Sequence, residues 1–313
     1  MGVQFSQIIP PSAPLTEANV PSQKGKTFIG TGGYSGVGLE LSRLLYNAGG
    51  HVYIAGRNQA SAEKAIEEIM STSKVPTSEQ GRLEFLLLDL GDLSSIKASA
   101  DQLVKKGVAV DVLFNNAGRG NVAPNSFSAQ GLEVQVATNV LGAYLFTKLL
   151  EPCLTADRNA DASPARVIWT ASQIVDLLVP AGGHIMAHLT SPVEEQMKDL
   201  NACYTMSKLG NWYLATEYGR RHNSSSDNAV FSIAQNPGGL RSNFFRAYTA
   251  LYAGLSQELS IERHQGVYVI PWGRIHPAPR EDLLAAVKSE AEGGTGEAAK
   301  LWDWCEEMTK QYQ

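Results

Sequence analysis

The chain has 313 residues, 43% hydrophobic and 18% charged, a balance that excludes a disordered polymer and is long enough to bury one large α/β core. A formal net charge of −5 offers nothing to a polyanion and argues against a nucleic-acid binder. Three scattered cysteines, Cys153, Cys203 and Cys305, with no Cys-x-x-Cys pair, exclude a disulfide framework or a zinc site and point to a reducing, cytoplasmic setting.

The first 25 residues read as irregular, because prolines at 10, 11, 14 and 21 forbid a long helix. No basic stretch followed by an apolar run marks a signal peptide. The opening MGVQFS fits the N-myristoylation pattern at Gly2 and Ser6, but no basic cluster follows. A single acyl chain binds a membrane only marginally, so no stable anchor is expected. The longest apolar run, near Leu141–Leu150, is broken by Thr147 and Lys148 and is too short to span a bilayer.

Order is expected from Lys26. Residues Lys26–Gly30 form a short apolar strand, and TGGYSGVG (Thr31–Gly38) leads into a helical pattern carried by Val37, Leu39, Leu41, Leu44 and Leu45. Gly32, Gly36 and Gly38 therefore lie where a strand turns into a helix. Glycines there let the backbone approach a pyrophosphate, and the helix start offers free N–H groups to its charge. The strand His51–Gly56 ends at Arg57, nineteen positions past Gly38, where an adenosine ribose is expected. An acidic residue there would hold the 2′-hydroxyl of NAD, whereas a guanidinium suits a 2′-phosphate. Ser35 could add a hydroxyl, so the pattern favours NADP(H).

The alternation continues. Ala60–Met70 reads as a helix, and the strand Leu83–Leu88 is followed by Asp89 and Leu90. A helix at Leu93–Lys106 and a strand at Val108–Phe114 lead to Asn115-Asn116-Ala117-Gly118. One long helix is expected over Ala129–Leu150, then a strand at Arg166–Trp169 running into Thr170-Ala171-Ser172. A helix bearing Tyr204 and a strand at Ala229–Ala234 precede Asn236-Pro237-Gly238. Strands alternating with helices predict right-handed crossovers and a doubly wound parallel sheet, with ligands at the carboxyl ends of the strands.

Tyr204 and Lys208 stand four residues apart, on one face of a helix. A free phenol titrates near about 10, and a close ammonium would favour its phenolate and bring it toward the working range. Such a pair can serve as a tuned acid/base.

Taken together, these motifs resemble the short-chain dehydrogenase/reductase family. Thr31-Gly32-x-x-x-Gly36-x-Gly38, Asn115-Asn116-Ala117-Gly118, Asn139, Ser172, Tyr204-x-x-x-Lys208 and Pro237-Gly238 occur in that family's order, over roughly Lys26–Asn243. FSQIIPP, VIPWGR (Val269–Arg274) and LWDWCEEM (Leu301–Met308) are similar to a retinol-dehydrogenase-like branch of filamentous fungi. The resemblance implies a single Rossmann-type domain over 26–245, preceded by the irregular segment 1–25. A C-terminal substrate-capping and helical extension over 246–313 belongs to the same domain.

The resemblance also implies roles. Tyr204 is the proton donor in reduction, Ser172 binds the substrate carbonyl, and Lys208 lowers the phenol and binds the nicotinamide ribose. Asn139 holds a water that links Lys208 to solvent. Gly32, Ser35, Gly36, Val37 and Gly38 line the phosphates, Arg57 the 2′-phosphate, and Asp89 with Leu90 the adenine. Asn116, Ala117 and Gly118 line the adenosine side, while Pro237, Gly238, Leu240 and Ser242 flank the nicotinamide. Tyr34 fills a slot more often held by a small or amide residue, and Thr170 is the fallback hydroxyl beside Ser172. The implied activity is NADP(H)-dependent reduction of a ketone or aldehyde, or oxidation of a secondary alcohol. The implied substrate is fairly large and apolar, in fungal secondary metabolism. The alternative is a nucleotide-binding protein of the same fold without redox chemistry, either a regulatory or binding module or an isomerase or cyclase. Many relatives are homodimers, joined by the two long helices that follow the fourth and fifth strands.

Ser172 and Tyr204 are 32 positions apart, more than twice what short relatives need. The insert is apolar near Val175–Val179, contains Gly182 and Gly183, and is expected to form a substrate wall or lid. His184 and His188 within it are expected to meet substrate or solvent rather than a metal. The aromatic run Phe244–Leu259 is expected to be helical and to cap the pocket or pack in the core. Glu281–Glu292 and Gly296–Gln313 read as outer helices split by Gly293-Gly294, and Ile270–Arg274 as a turn. The sequon at Asn223 has no meaning without secretion.

Overall fold

The computed structural model describes residues 2–156, 163–222, 229–239 and 242–313. A short helix α1 (Val3–Ile8) precedes β1 (Thr27–Thr31), α2 (Gly36–Asn47), β2 (His51–Gly56), α3 (Gln59–Thr72), β3 (Arg82–Leu87), α4 (Leu93–Lys105) and β4 (Val112–Asn115). Next come α5 (Val134–Val136), a π-helical turn (Ala137–Gly142), α6 (Ala143–Leu149), α7 (Glu151–Leu154) and β5 (Ala165–Thr170). The insert forms α8 (Ile174–Leu178), α9 (Ile185–Leu189) and α10 (Val193–Gln196), ahead of the long α11 (Leu200–Arg221) and β6 (Val230–Gln235). The remainder is α12 (Asn243–Leu255), α13 (Ile261–His264), β7 (Tyr268–Ile270), β8 (Arg274–Ile275), α14 (Glu281–Val287) and α15 (Glu297–Thr309).

The strands form one sheet in the order β3-β2-β1-β4-β5-β6-β7-β8. Pairings from β3 through β7 are parallel, and β8 closes the edge antiparallel to β7. The chain reverses direction across the sheet between β1 and β4, so a crevice opens at their carboxyl ends. Central strands are buried on both faces, and β1, β4 and β6 accordingly carry almost no exposed position. One core layer lies between the sheet and α4, α6, α11 and α15, and includes Trp169, Tyr144, Tyr218 and Trp302. The other holds α2, α3 and α12 against the opposite face through Phe28, Leu41, Leu45 and Leu251. Each such fully buried large apolar side chain contributes about 1.5–3 kcal/mol. Among the described residues no helix is long and apolar enough to cross a membrane.

Several elements depart from the sequence reading. The long helix expected from Ala129 begins at Val134. Gly131 takes a left-handed φ of 74°, Phe127 bridges to Glu133, and the Glu133 carboxylate caps the N–H groups of Gln135 (3.0 Å) and Val136 (2.7 Å). That helix then widens into a π turn at Asn139, a distortion that often marks a functional site. The N-terminal segment is not wholly irregular, since six residues fit a short helix before the first proline. The expected turn at 270–274 carries the sheet's last two strands at its ends. The helix from Asn243 stops at Leu255, four residues early, where Ser256 adopts an extended conformation. The sequon at Asn223 lies outside the described residues.

Candidate active site

Thr31 ends β1 and anchors the glycine turn. Its hydroxyl accepts from the Ala117 N–H (2.9 Å) and donates to the Phe114 carbonyl (3.2 Å). Asn116 Nδ2 donates to the Thr31 carbonyl at 3.0 Å. These bonds fasten the end of β1 to the end of β4. Gly32 and Gly36 are left-handed, with φ of 65° and 58°, which only glycine adopts freely. Gly38 is needed for a different reason. A Cβ there would stand 2.3 Å from the Gly32 carbonyl oxygen and 2.7 Å from Asn116 Nδ2. It is therefore a packing residue below the turn and does not line the cleft, while Gly32, Ser35, Gly36 and Val37 do. Ser35 precedes α2 without capping it by its side chain, so its hydroxyl remains open to the cleft. The turn, stripped of side chains and ending at a helix N-terminus, fits a diphosphate.

At the end of β2 the Tyr34 ring lies over Gly56, where a Cβ would come 2.1 Å from the ring. Arg57 follows it, exposed at the rim, and no carboxylate among the described residues pairs with it. Asp89 and Leu90 line the same end of the cleft. One Asp89 oxygen accepts from the Gly91 N–H (2.8 Å), and the Leu90 carbonyl packs against Gly142 in the π turn.

Helix α11 delivers Tyr204 and Lys208. Asp199 caps its start through the N–H groups of Asn201 and Ala202, both at 3.0 Å. The Lys208 ammonium is buried and donates to the Thr170 carbonyl at 2.9 Å, an oxygen that also accepts from Asn211 Nδ2 at 2.8 Å. Burial lowers the Lys208 pKa to about 8. Nζ sits 5.8 Å from the Tyr204 ring centroid. Burial pushes the Tyr204 phenol up, and two groups pull it down: a hydrogen bond with the Ser172 hydroxyl and the positive charge of Arg246. The Lys208 ammonium directs its hydrogen bond to the Thr170 carbonyl.

Asn139 is fully buried in the π turn. Its Nδ2 donates to Ser207 Oγ (2.9 Å) and the Arg119 carbonyl (3.0 Å), and its Oδ1 accepts from the Arg119 N–H (2.7 Å). Both amide protons are thus used within the protein, leaving one lone pair of Oδ1 for a water. Gly118 lies between this amide and the ammonium, since a Cβ would be 2.8 Å from Lys208 Nζ and 3.5 Å from Asn139 Oδ1. Thr170 lines the same cleft beside Ser172. Its Oγ1 accepts from Gln235 Nε2 at 2.9 Å.

Across the cleft, Asn236 Oδ1 accepts from the Gly238 N–H (2.9 Å), and Pro237 and Gly238 line the wall. Leu240 lies outside the described residues. Ser242 precedes α12 as an exposed cap position outside the cleft lining. The cleft itself measures about 520 Å³ and gathers Gly32, Arg57, Asp89, Asn116, Ser172, Tyr204 and Lys208 around one space.

Among the lining residues that escaped the sequence reading or were only half seen are Arg119, Arg246 and Tyr34. Tyr34 stood out as an odd residue in a glycine turn, but nothing in the periodicity of α12 singles out Arg246. The insert after Ser172 behaves differently from the expected wall. Val175, Val179, Ile185 and Leu189 are buried in the core, and only Leu177 and Leu178 stand exposed. His184 and His188 do not line the cleft; exposed His184 faces Glu297 at 3.7 Å. Among the described residues no cluster of histidine, cysteine and carboxylate side chains could hold a metal. The α12 aromatics Tyr248 and Tyr252 pack in the core, their hydroxyls on Glu17 (2.5 Å) and Glu258 (2.8 Å).

A glycine turn at the crevice of a doubly wound sheet, with a serine–tyrosine pair and a buried lysine at its other end, defines a nucleotide-binding oxidoreductase scaffold. Comparison with known proteins agrees. The short chain dehydrogenase family model matches residues 26–183. The short-chain dehydrogenase/reductase iacJ of Pestalotiopsis fici is 37% identical, covering 98% of both chains. The short-chain dehydrogenase/reductase pkfC of Emericella nidulans is also 37% identical, over 95% of this chain and 97% of its own. Among solved structures, an uncharacterised protein of Mycobacterium paratuberculosis is 28% identical with a TM-score of 0.70, covering 95% of this chain and 97% of its own. A metagenomic short-chain oxidoreductase in complex with NADP shares the fold at 21% identity and a TM-score of 0.55, over 76% and 94%. The chain belongs to the short-chain dehydrogenase/reductase family.

Proposed function

We propose that the protein is an NADP(H)-dependent reductase of a ketone or aldehyde, running in reverse as a secondary-alcohol dehydrogenase. The observation that carries this reading is that Ser172, Tyr204 and the buried Lys208 meet in one cleft with the glycine turn. NADPH, when bound, would supply the hydride, from C4 of its nicotinamide. Ser172 binds the substrate carbonyl oxygen and polarises it. The Tyr204 hydroxyl gives that oxygen its proton, and its upward-shifted pKa keeps it protonated before the step. Lys208 and Arg246 hold positive charge near the phenol as negative charge develops on it.

Cofactor choice rests on Arg57 and Ser35 at the cleft rim. A guanidinium free of carboxylate partners offers a 2′-phosphate two parallel N–H bonds. Asn116, Ala117, Asp89 and Leu90 form the adenosine side, and Pro237 and Gly238 the nicotinamide side. An apolar substrate is supported by Leu177 and Leu178, which stand 56% and 59% exposed on the short helix that follows Ser172. The resemblance to fungal pathway enzymes supports a secondary-metabolite carbonyl. The buried free thiols of Cys153, Cys203 and Cys305 suit the cytoplasm.

The test is isotopic. The protein is incubated with C4-deuterated NADPH and a panel of apolar ketones and aldehydes, and the products are analysed by mass spectrometry. An alcohol carrying one deuterium is the expected product; binding of NADPH without any labelled alcohol across the panel would favour a non-redox role.

A further inference from the structure

A buried polar network outside the cleft connects both of its walls through one residue of the N-terminal segment. Gln7 is 1% exposed, although it belongs to a segment whose sequence reads as irregular. Its Nε2 donates to Asp176 Oδ2 at 3.0 Å, and its Oε1 accepts from Asn236 Nδ2 at 2.6 Å. Asp176 sits in α8, one helical turn past Ser172. Asn236 directly precedes Pro237, and its Oδ1 holds the Gly238 N–H. One glutamine side chain therefore bridges the serine loop and the proposed nicotinamide loop.

The rest of the network closes around the same carboxylate. The Ala278 N–H donates to His276 Nδ1 at 3.2 Å, which fixes that nitrogen as an acceptor. The proton of the ring thus sits on Nε2, which donates to Asp176 Oδ2 at 3.1 Å. Burial pushes the Asp176 carboxyl up, and the bonds from His276 and Gln7 more than offset it, so the group is an anion in the interior. The His276 ring stacks on Tyr268, centroids 5.8 Å apart, and the Tyr268 hydroxyl donates to the Ser172 carbonyl at 2.9 Å. The Ser172 carbonyl is thereby tied to the same network. Helix α1 is fastened at two further points: Arg274 donates to the Ser6 carbonyl (2.8 Å) and hydroxyl (3.2 Å), and Gln173 Nε2 donates to Gln4 (3.3 Å).

We propose that Gln7 is a positioning residue for the active site, setting the spacing between Ser172 and the Pro237–Gly238 wall through its paired bonds to Asp176 and Asn236. A glutamine is suited to this because it donates and accepts at adjacent atoms, matching a carboxylate on one side and an amide N–H on the other. Removing it leaves a buried carboxylate and a buried amide each short of a partner, a situation that drives rearrangement. The N-terminal segment is then part of the catalytic unit, although no residue of it lines the cleft.

The proposal rests on the reductase reading for its kinetic consequences and not for its structural ones, so the experiment has two arms. In the first, hydrogen exchange of the full-length protein and Gln7→Leu is followed without ligand. At least tenfold faster exchange is expected in both 172–178 and 235–239. Unchanged exchange in either segment overturns the proposal. In the second, NADPH oxidation is measured with the best carbonyl from the panel, well below the melting temperature. A kcat lower by at least tenfold is expected, with the dissociation constant for NADPH, read by its fluorescence, changed less than threefold. A lowered melting temperature with unchanged kcat makes Gln7 merely structural and also overturns the proposal. Failure of the wild-type protein to turn over any carbonyl, with the exchange result intact, removes the reductase reading and leaves the positioning role standing. If Gln7→Leu does not fold, Gln7→Asn keeps the amide but shortens its reach, and the same outcomes apply.

Discussion

Lys208 Nζ lies 2.9 Å from the Thr170 carbonyl, buried where the α11 helix crosses the end of β5. A cation in that position is costly, and burial draws its pKa from the usual 10.5 to about 8. The unfolded chain then holds more protons than the folded one between these values, so this group makes stability rise as pH increases from about 8 to about 10.5. A tenfold change in proton affinity equals about 1.4 kcal/mol, which puts the penalty at neutral pH on the order of 3 kcal/mol. Lys208→Met is accordingly expected to abolish turnover while raising the melting temperature at pH 7, with the gain shrinking above pH 9. Differential scanning calorimetry across that pH range checks it, and a destabilised Lys208→Met would contradict it.

Arg246 pulls the Tyr204 phenol down from the opening turns of α12. In the reductive direction activity needs the phenol protonated and is lost as pH rises through its pKa. Removing the guanidinium raises that pKa, so Arg246→Gln is expected to move the alkaline limb of the kcat profile to higher pH. A steady-state pH profile with NADPH measures the displacement; a limb that stays in place would free Tyr204 from Arg246.

Arg57 at the end of β2 carries the proposed choice of cofactor. A charge-assisted hydrogen bond contributes about 1.5–3 kcal/mol, or roughly 10- to 100-fold in affinity. Arg57→Glu is expected to raise KM for NADPH by that factor and to lower the ratio of NADPH to NADH efficiency by more. Competitive assays with the two nucleotides read this directly.

Gly38 is predicted to be intolerant for reasons of packing alone. A Cβ 2.3 Å from the Gly32 carbonyl forces backbone to move, beyond ordinary overpacking. Gly38→Ala should lower the melting temperature by roughly 5–10 °C and weaken nucleotide binding with it.

The parts of the site that were legible in the sequence are those set by local backbone chemistry. Gly32 and Gly36 announce left-handed turns, Tyr204 and Lys208 share a helix face, and alternating strands place both at one edge of the sheet. What was hidden depends on side chains meeting across long sequence separations. Gln7 reaches Asn236 over 229 positions, and no periodicity in a proline-rich leader marks a buried glutamine. The insert was misjudged for a related reason. Val175 and Ile185 look the same in sequence whether they face a substrate or the core, and only the packing of α8 and α9 onto α11 decides. The direction of the Lys208 ammonium was likewise invisible, because the competing acceptor is a backbone carbonyl on another strand.

The central claim is that Tyr204 donates a proton to the substrate oxygen. Side-chain general acids of this kind are worth about 10²–10⁴ in rate. NADPH oxidation against the best carbonyl substrate, followed by absorbance for the intact protein and Tyr204→Phe, tests it most directly. The expected result is a loss of that size in kcat with NADPH binding preserved; undiminished turnover by Tyr204→Phe would contradict the account.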